Sequence, residues 1–114
     1  MHELSICQSM RGQLEHIVHE NHACAVHAVW VQIGPLAGVE PELLAQAFPL
    51  AMAGSVAQGA ELIVESLPIR IRCQQCGAES EATASRLVCA QCGDWQTTLL
   101  SGDEMLLVSV ELDK

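Results

Sequence analysis

Two Cys-x-x-Cys pairs constrain this 114-residue chain more than any other feature of its sequence. Cys73 and Cys76 form the first pair, and Cys89 and Cys92 form the second after twelve intervening residues. A glycine follows each pair, and glycine tolerates the positive φ that lets backbone N–H groups approach the sulfurs. Four thiolates brought together in this way supply the tetrahedral ligand set of a structural Zn²⁺ ion.

Two disulfides, or an iron site of the rubredoxin type, could use the same cysteine spacing. The chain begins Met-His-Glu, with no basic segment followed by an apolar one, so we expect that it is not exported. In a reducing cytosol, paired cysteines bind metal far more often than they form disulfides. We therefore predict zinc, in a closed site that stabilises structure and leaves no coordination position open for a substrate.

Composition narrows the functions that the chain can have. Its formal net charge is −9, and it has only five Lys and Arg residues, three of which (Arg70, Arg72 and Arg86) lie near the cysteine pairs. Nucleic-acid binding depends on basic residues that neutralise phosphates, so we expect no nucleic-acid partner. No apolar run approaches the roughly eighteen residues of a membrane span, so we expect a soluble chain with no membrane contact. Together with the missing export signal, this predicts a cytoplasmic protein.

Helical periodicity predicts two amphipathic helices. The first covers about residues 4–21, where apolar residues recur at three- and four-residue steps. The second begins at Glu40-Pro41-Glu42, because proline suits the first helical position and carboxylates favour the positive end of the helix dipole. Leu43 and Leu44 are assigned to its buried face, and Pro49 is expected to kink or break it.

Alternating apolar residues predict three strands, at residues 23–33, 61–71 and 105–112, with Pro68 at an edge position or bulge of the second. The predicted fold class is therefore α+β. It has a three-stranded β-sheet with two covering helices and an inserted small four-cysteine domain like a zinc ribbon. The predicted domains are residues 1–68 with 102–114, and the inserted zinc-binding domain at 69–101.

The first three residues offer a second kind of metal site. The α-amine of Met1, a deprotonated amide nitrogen and the imidazole of His2 are nitrogen donors that suit the planar geometry of Ni²⁺ or Cu²⁺. Glu3 adds a carboxylate beside them and, through its own backbone nitrogen, a further donor. A histidine at position 2 is also common as a solvated terminal residue, so spacing alone leaves both interpretations open.

The chain resembles the HypA/HybF family of hydrogenase maturation factors, which are nickel metallochaperones. The resemblance covers the opening MHELS, the segment GPLAGVEPEL at residues 34–43, both cysteine pairs, and the closing strand that follows GDEM at residues 102–105. It departs from the family pattern at Ala90, where proline is common. All four thiols are retained, so this substitution leaves the ligand set complete.

The resemblance implies a nickel-binding α/β domain and a zinc domain, with His2 as the indispensable nickel ligand and Met1 and Glu3 beside it. It implies Ni²⁺ as transported cargo, Zn²⁺ as a structural ion, and delivery of nickel without enzymatic activity. The implied partners are a GTPase of the maturation pathway and the precursor of a [NiFe] hydrogenase large subunit. Some family members also supply urease. The sequence leaves a homodimer open.

A second class of function stays open on the residues alone. In this alternative the chain is a zinc-ribbon module for protein interaction, or a nucleic-acid-binding accessory protein, and His2 is inert. An enzyme is the least expected class, because no base or oxyanion arrangement can be assigned to Cys7 or Cys24. We expect both of these cysteines to lie in the core.

Overall fold

The computed structural model describes residues 2–114, and this part of the chain forms two helices and six strands. The strands make two three-stranded sheets, ordered β2-β1-β6 and β4-β3-β5. The predicted α+β fold class is thereby confirmed. The elements in chain order are α1 (His2–Glu20), β1 (Ala25–Ile33), α2 (Pro41–Met52), β2 (Glu61–Ser66), β3 (Ile69–Cys73), β4 (Glu79–Ala82), β5 (Thr97–Ser101) and β6 (Met105–Asp113).

The chain divides into two compact units. Among the described residues, unit 1 comprises 2–31, 39–64 and 107–114, and unit 2 comprises 32–38 and 65–106. Unit 1 contains both helices, whereas unit 2 contains the whole of β3, β4 and β5. The domain boundaries at residues 68/69 and 101/102 remain a prediction. No helix within residues 2–114 is both long enough and apolar enough to cross a membrane.

Helix α1 begins at His2, two residues before the predicted start. Its buried side chains recur at three- and four-residue steps, and the first of them is a carboxylate: Glu3, Cys7, Met10, Leu14 and Val18. The helix ends where His22 adopts a left-handed φ of 52° and the N–H of Ala23 donates to the Val18 carbonyl at 3.0 Å. This bond, which spans six residues, is the mark of a Schellman terminus.

Helix α2 begins at Pro41, as predicted, with Glu40 as its N-cap residue. It continues through Pro49 to Met52, so Pro49 does not break the helix, and the alternative expectation of a kink there stays a prediction. Proline removes one backbone donor from a helix, and here burial of the face that contains Leu44 and Phe48 offsets that loss. Leu43, which was assigned to the buried face, is 48% exposed.

The strand predicted at residues 61–71 is two strands, β2 and β3, which belong to different sheets. Pro68 lies between them and cannot donate a hydrogen bond to a sheet. The neighbouring groups bond to other segments of unit 2: the N–H of Leu67 donates to the Ile33 carbonyl at 3.0 Å, and the Ser101 hydroxyl donates to the Pro68 carbonyl at 2.9 Å.

The second sheet presents the first cysteine pair. Strand β3 lies at its centre and is antiparallel to both β4 and β5. Ile69, Ile71 and Cys73 alternate towards the buried face, which places Cys73 at the inner end of the strand. On the outer face, Arg72 forms a 2.9 Å ion pair with its cross-strand partner Glu79.

Two glycines allow a close backbone contact within unit 2. The N–H of Gly34 donates to the Glu104 carbonyl at 2.9 Å, and the N–H of Leu36 donates to the Gly102 carbonyl at 2.8 Å. A Cβ atom at Gly34 would overlap the Gly102 carbonyl, and Gly102 itself has a φ of 114°. The GPLAG and GDEM segments therefore need glycine at these two positions.

Candidate metal centre

The four predicted zinc ligands converge. The sulfurs of Cys73, Cys76, Cys89 and Cys92 all lie within 4.8 Å of one another. The Sγ–Sγ distance is 3.5 Å between Cys73 and Cys92 and 3.6 Å between Cys76 and Cys89. Zn–S bonds of about 2.3 Å in a regular tetrahedron place the sulfurs about 3.8 Å apart. The arrangement therefore fits a tetrahedral Zn²⁺ ion.

Each cysteine pair lies on a turn whose backbone holds the first sulfur. The N–H groups of Gln75 and Cys76 donate to the Sγ of Cys73 at 3.3 and 3.4 Å. Gly77, with a φ of 77°, closes the turn through a 3.0 Å bond from its N–H to the Cys73 carbonyl. The second turn repeats this pattern at Cys89, with N–H to Sγ distances of 3.4 and 3.5 Å.

These N–H groups favour a thiolate at the first cysteine of each turn. The N–H of Cys76 lowers the pKa of Cys73, and the N–H of Cys92 contributes most to lowering the pKa of Cys89 to about 6. At Cys92 the backbone N–H of Asp94 acts in the same direction. The neighbouring sulfurs, led by Cys73, outweigh it and raise the pKa of Cys92 to about 12.

Burial distinguishes the two cysteines of each pair. Cys73 and Cys89 are 2% exposed, whereas Cys76 and Cys92 lie on the surface. With a metal bound, all four act as thiolates, because the positive ion compensates the charge that neighbouring sulfurs would otherwise oppose. The set has no open position, and it can therefore stabilise the two turns rather than take part in catalysis.

The other two cysteines lie apart from this cluster. Cys7 is fully buried, as predicted, and burial raises the pKa of its thiol. Cys24 is exposed just before β1, so its assignment to the core is wrong. Its backbone N–H donates to the Asp113 carbonyl at 2.8 Å. Cys24 therefore contributes to unit 1 through its main chain.

The amino-terminal site begins at the first residue that the structure describes. His2 is exposed and opens α1, and its carbonyl accepts a 3.0 Å bond from the Ser5 hydroxyl. Met1, the third predicted member of this site, lies outside the described residues. The role of each of these residues as a nickel ligand remains a prediction.

The Glu3 carboxylate faces the protein. Glu3 is 8% exposed, and its Oε2 accepts the backbone N–H of Glu40 at 3.2 Å. This N–H contributes most to lowering the pKa of Glu3, and the backbone N–H of Glu3 itself contributes next. The side chain of Glu40 makes no capping bond within the described part of α2. Glu3 therefore supplies the start of α2 with an acceptor from another helix.

Sequence reasoning did not anticipate two residues that hold α1 against α2. Glu40 was assigned only to the start of the second helix. Arg11 of α1 received no site or contact assignment from the sequence, and its Nη1 donates to the carbonyls of Ala51 and Ala53 at 3.2 and 3.4 Å. Arginine side chains often donate to the last carbonyls of a helix, so the presence of Arg11 on α1 was the one indication of this contact in the sequence.

The fold and the cysteine cluster define a small α+β metalloprotein with a closed structural zinc site. The family model described as "Hydrogenase/urease nickel incorporation, metallochaperone, hypA" matches residues 1–112. The chain belongs to this family.

Individual relatives match over almost their whole length. A hydrogenase maturation factor HypA of Nitrosospira multiformis is 44% identical over 112 residues, which cover 98% of this chain and 97% of the relative. The HypA of Aquifex aeolicus is 45% identical over 113 residues, covering 99% and 98%. The solution structure of the Ni metallochaperone HypA from Helicobacter pylori superposes with a TM-score of 0.71 at 26% identity and 97% coverage of both chains.

Proposed function

We propose that this chain is a nickel metallochaperone that binds Ni²⁺ at its amino terminus and delivers it for the maturation of [NiFe] hydrogenase. The observation that carries this proposal is the family match over residues 1–112, because that family incorporates nickel into hydrogenase and urease. The relatives from N. multiformis and A. aeolicus are hydrogenase maturation factors. Nickel is cargo in this function, and the chain performs no chemical transformation on it.

The geometry at the start of α1 supports nickel binding by His2. The side chain is exposed, so an incoming ligand from an acceptor protein can reach the metal. The first N–H groups of a helix have no acceptor within the helix, and a backbone nitrogen there can be deprotonated without opening a helical hydrogen bond. The α-amine of Met1, the imidazole of His2 and the backbone nitrogen of Glu3 together supply donors for planar Ni²⁺.

The cysteine cluster takes a different part in this function. Zn²⁺ bound by four thiolates stabilises the two turns and keeps them from collecting the nickel cargo, because no coordination position remains open. The zinc site thus gives unit 2 a fixed surface. We propose that this surface contributes to docking on partner proteins.

The partners follow from the delivery of nickel. We propose a GTPase of the maturation pathway and the precursor of a [NiFe] hydrogenase large subunit, with urease as a further recipient named in the family description. Both exchanges would take place in the cytoplasm, where metal-free precursors are assembled. A homodimer is compatible with these roles.

Nickel titration of untagged, zinc-loaded protein tests the proposal. We expect wild type to bind Ni²⁺ with a visible circular-dichroism signal from planar d–d transitions, and His2→Ala to lose that signal. His16→Ala is the matched control, because His16 is an exposed histidine on the same helix. Equal binding by wild type and His2→Ala, or no binding by either, would favour the zinc-ribbon interaction module instead.

A further inference from the structure

Helix α1 contacts α2 at several points, the first of them in the turn that contains His2 and Glu3. The Glu3 carboxylate accepts the N–H of Glu40 at 3.2 Å, and one turn further the Cys7 thiol lies 3.8 Å from the Leu44 carbonyl. Both contacts advance by four residues on each helix. A third contact lies further along α1, where Arg11 donates to the carbonyls of Ala51 and Ala53 at the other end of α2.

We infer that the Glu3 carboxylate is a positioning residue for nickel: it fixes the first turn of α1 on the start of α2 and thereby orients His2, without being a ligand itself. This inference rests on the proposed function and deepens it. The contribution of Glu3 to the metal is then confined to its backbone nitrogen. In this arrangement the backbone of the first turn of α1 binds nickel, while the Glu3 side chain binds the start of α2.

Burial and the existing hydrogen bonds are the first reason for this assignment. Glu3 is 8% exposed, and its carboxylate already accepts the Glu40 N–H. Coordination through the carboxylate would withdraw the acceptor from Glu40. The Glu40 N–H, at the partly buried start of α2, would then lack a replacement.

The charge at the start of α2 is the second reason. The amino terminus of a helix favours a negative group, and the N-cap side chain of α2 provides no such bond. Glu3 occupies this position from α1. A carboxylate that satisfies a helix terminus holds its own backbone in place, and the backbone of Glu3 directly follows that of His2. Loss of the side chain therefore frees the turn on which the imidazole is carried.

Two substitutions at position 3 separate positioning from ligation. Glu3→Gln keeps an oxygen that can accept the Glu40 N–H, so we expect its Ni²⁺ affinity to stay within about threefold of wild type, with the d–d spectrum unchanged. Glu3→Ala removes the acceptor, and we expect a loss of about 10- to 100-fold, as is typical when a group that orients a metal ligand is removed. Glu42→Ala, an exposed carboxyl in the first turn of α2, is the charge-matched control.

Hydrogen exchange at the Glu40 amide supplies a readout that does not depend on nickel. In zinc-loaded protein without nickel, we expect slow exchange in wild type and Glu3→Gln, and faster exchange in Glu3→Ala. If Glu3→Gln binds nickel as weakly as Glu3→Ala, or with a shifted d–d spectrum, the carboxylate is a ligand and the inference fails. If His2→Ala binds nickel as wild type does, the proposed function fails while the Glu40 amide still reports the anchor.

Glu40→Pro tests the same contact from its other side. Proline deletes the N–H at a position whose φ is −85°, close to the range that proline adopts. Glu40→Ala, which retains the N–H, is the reference variant. We expect Glu40→Pro to bind nickel more weakly than this reference, by about as much as Glu3→Ala differs from wild type. Equal affinity of the two Glu40 variants would overturn the inference, even if Glu3→Ala failed to fold.

Discussion

At the scale of single residues, Glu3 shows how one side chain influences both stability and the cargo site. Its carboxylate is buried against the backbone of Glu40 and stabilises the contact between the two helices as an anion. Sequence reasoning assigned Glu3 to the nickel site, but it could not supply this contact, because Glu40 is 37 residues away in the chain. Every residue except proline has a backbone N–H, so the residue type at position 40 does not indicate that its N–H will bind a carboxylate.

Acidification should remove the contribution of the Glu3 carboxylate to the stability of the folded state. The Glu40 N–H lowers the pKa of Glu3 below its ordinary value of 4.5, so the carboxylate stabilises the folded state above pH 4.5. That stabilisation is lost as the pH falls through the lower, folded-state pKa. We expect the difference in thermal midpoint between wild type and Glu3→Gln to shrink below pH 4.5.

Circular dichroism at 222 nm follows this transition, because both helices belong to unit 1. The control is Glu42→Gln, which removes an exposed carboxylate from the first turn of α2 and should change the midpoint at neutral pH less than Glu3→Gln does. A constant difference between wild type and Glu3→Gln down to pH 3 would contradict the assigned role.

At the scale of elements, the helices could be predicted from the sequence better than the strands could. Apolar periodicity identified the buried stripe of α1 from Cys7 onward, and Pro41 marked the start of α2. Alternation at residues 61–71 indicated extended chain, but it carries no information on which sheet each half joins. The division at Pro68 depends on partners from distant segments, such as Ile33 and Ser101.

Pro49 offers a test of how tertiary packing overrides helix propensity. Its ring removes a backbone donor from the interior of α2, and the carbonyl of Ala45 loses its partner as a result. We expect Pro49→Ala to stabilise unit 1 by roughly 2 kcal/mol, since a helix-interior proline costs about 3 kcal/mol and its restriction of the unfolded chain returns up to about 1 kcal/mol.

Urea unfolding followed at 222 nm measures this change. Gln46→Ala, at an exposed position of the same helix, is the control for propensity alone, and we expect it to change the unfolding free energy by less than about 0.5 kcal/mol. A destabilised Pro49→Ala would show that the proline ring makes a packing contribution larger than the hydrogen bond it prevents.

At the scale of the whole molecule, the two units differ in what stabilises them. Unit 1 has a core of side chains from both helices and β1, whereas two of the few buried side chains of unit 2 are the thiols of Cys73 and Cys89. The sequence predicted the cysteine cluster completely, because spacing within each pair determines the turn. It could not predict that β3, β4 and β5 form a sheet of their own.

Zinc removal should therefore act on one unit. When a chelator withdraws the ion, we expect unit 2 to unfold, because thiols that shared a cation are left to repel or protonate and its apolar core is small. Unit 1 should retain its helical signal at 222 nm. Fluorescence of Trp95 reports unit 2 and that of Trp30 reports unit 1, so the variants Trp95→Phe and Trp30→Phe separate the two responses. Parallel loss of both signals would contradict this expectation.

Each turn has one buried and one exposed cysteine, so the zinc site has a solvent-facing side and a buried side. Cys76 and Cys92 meet the solvent, while Cys73 and Cys89 lie beneath them and receive the backbone hydrogen bonds. A competing thiol or an oxidant therefore meets the outer pair first. The metal would leave by stepwise exchange at this surface, with the inner pair the last to release it, and reloading would follow the reverse order.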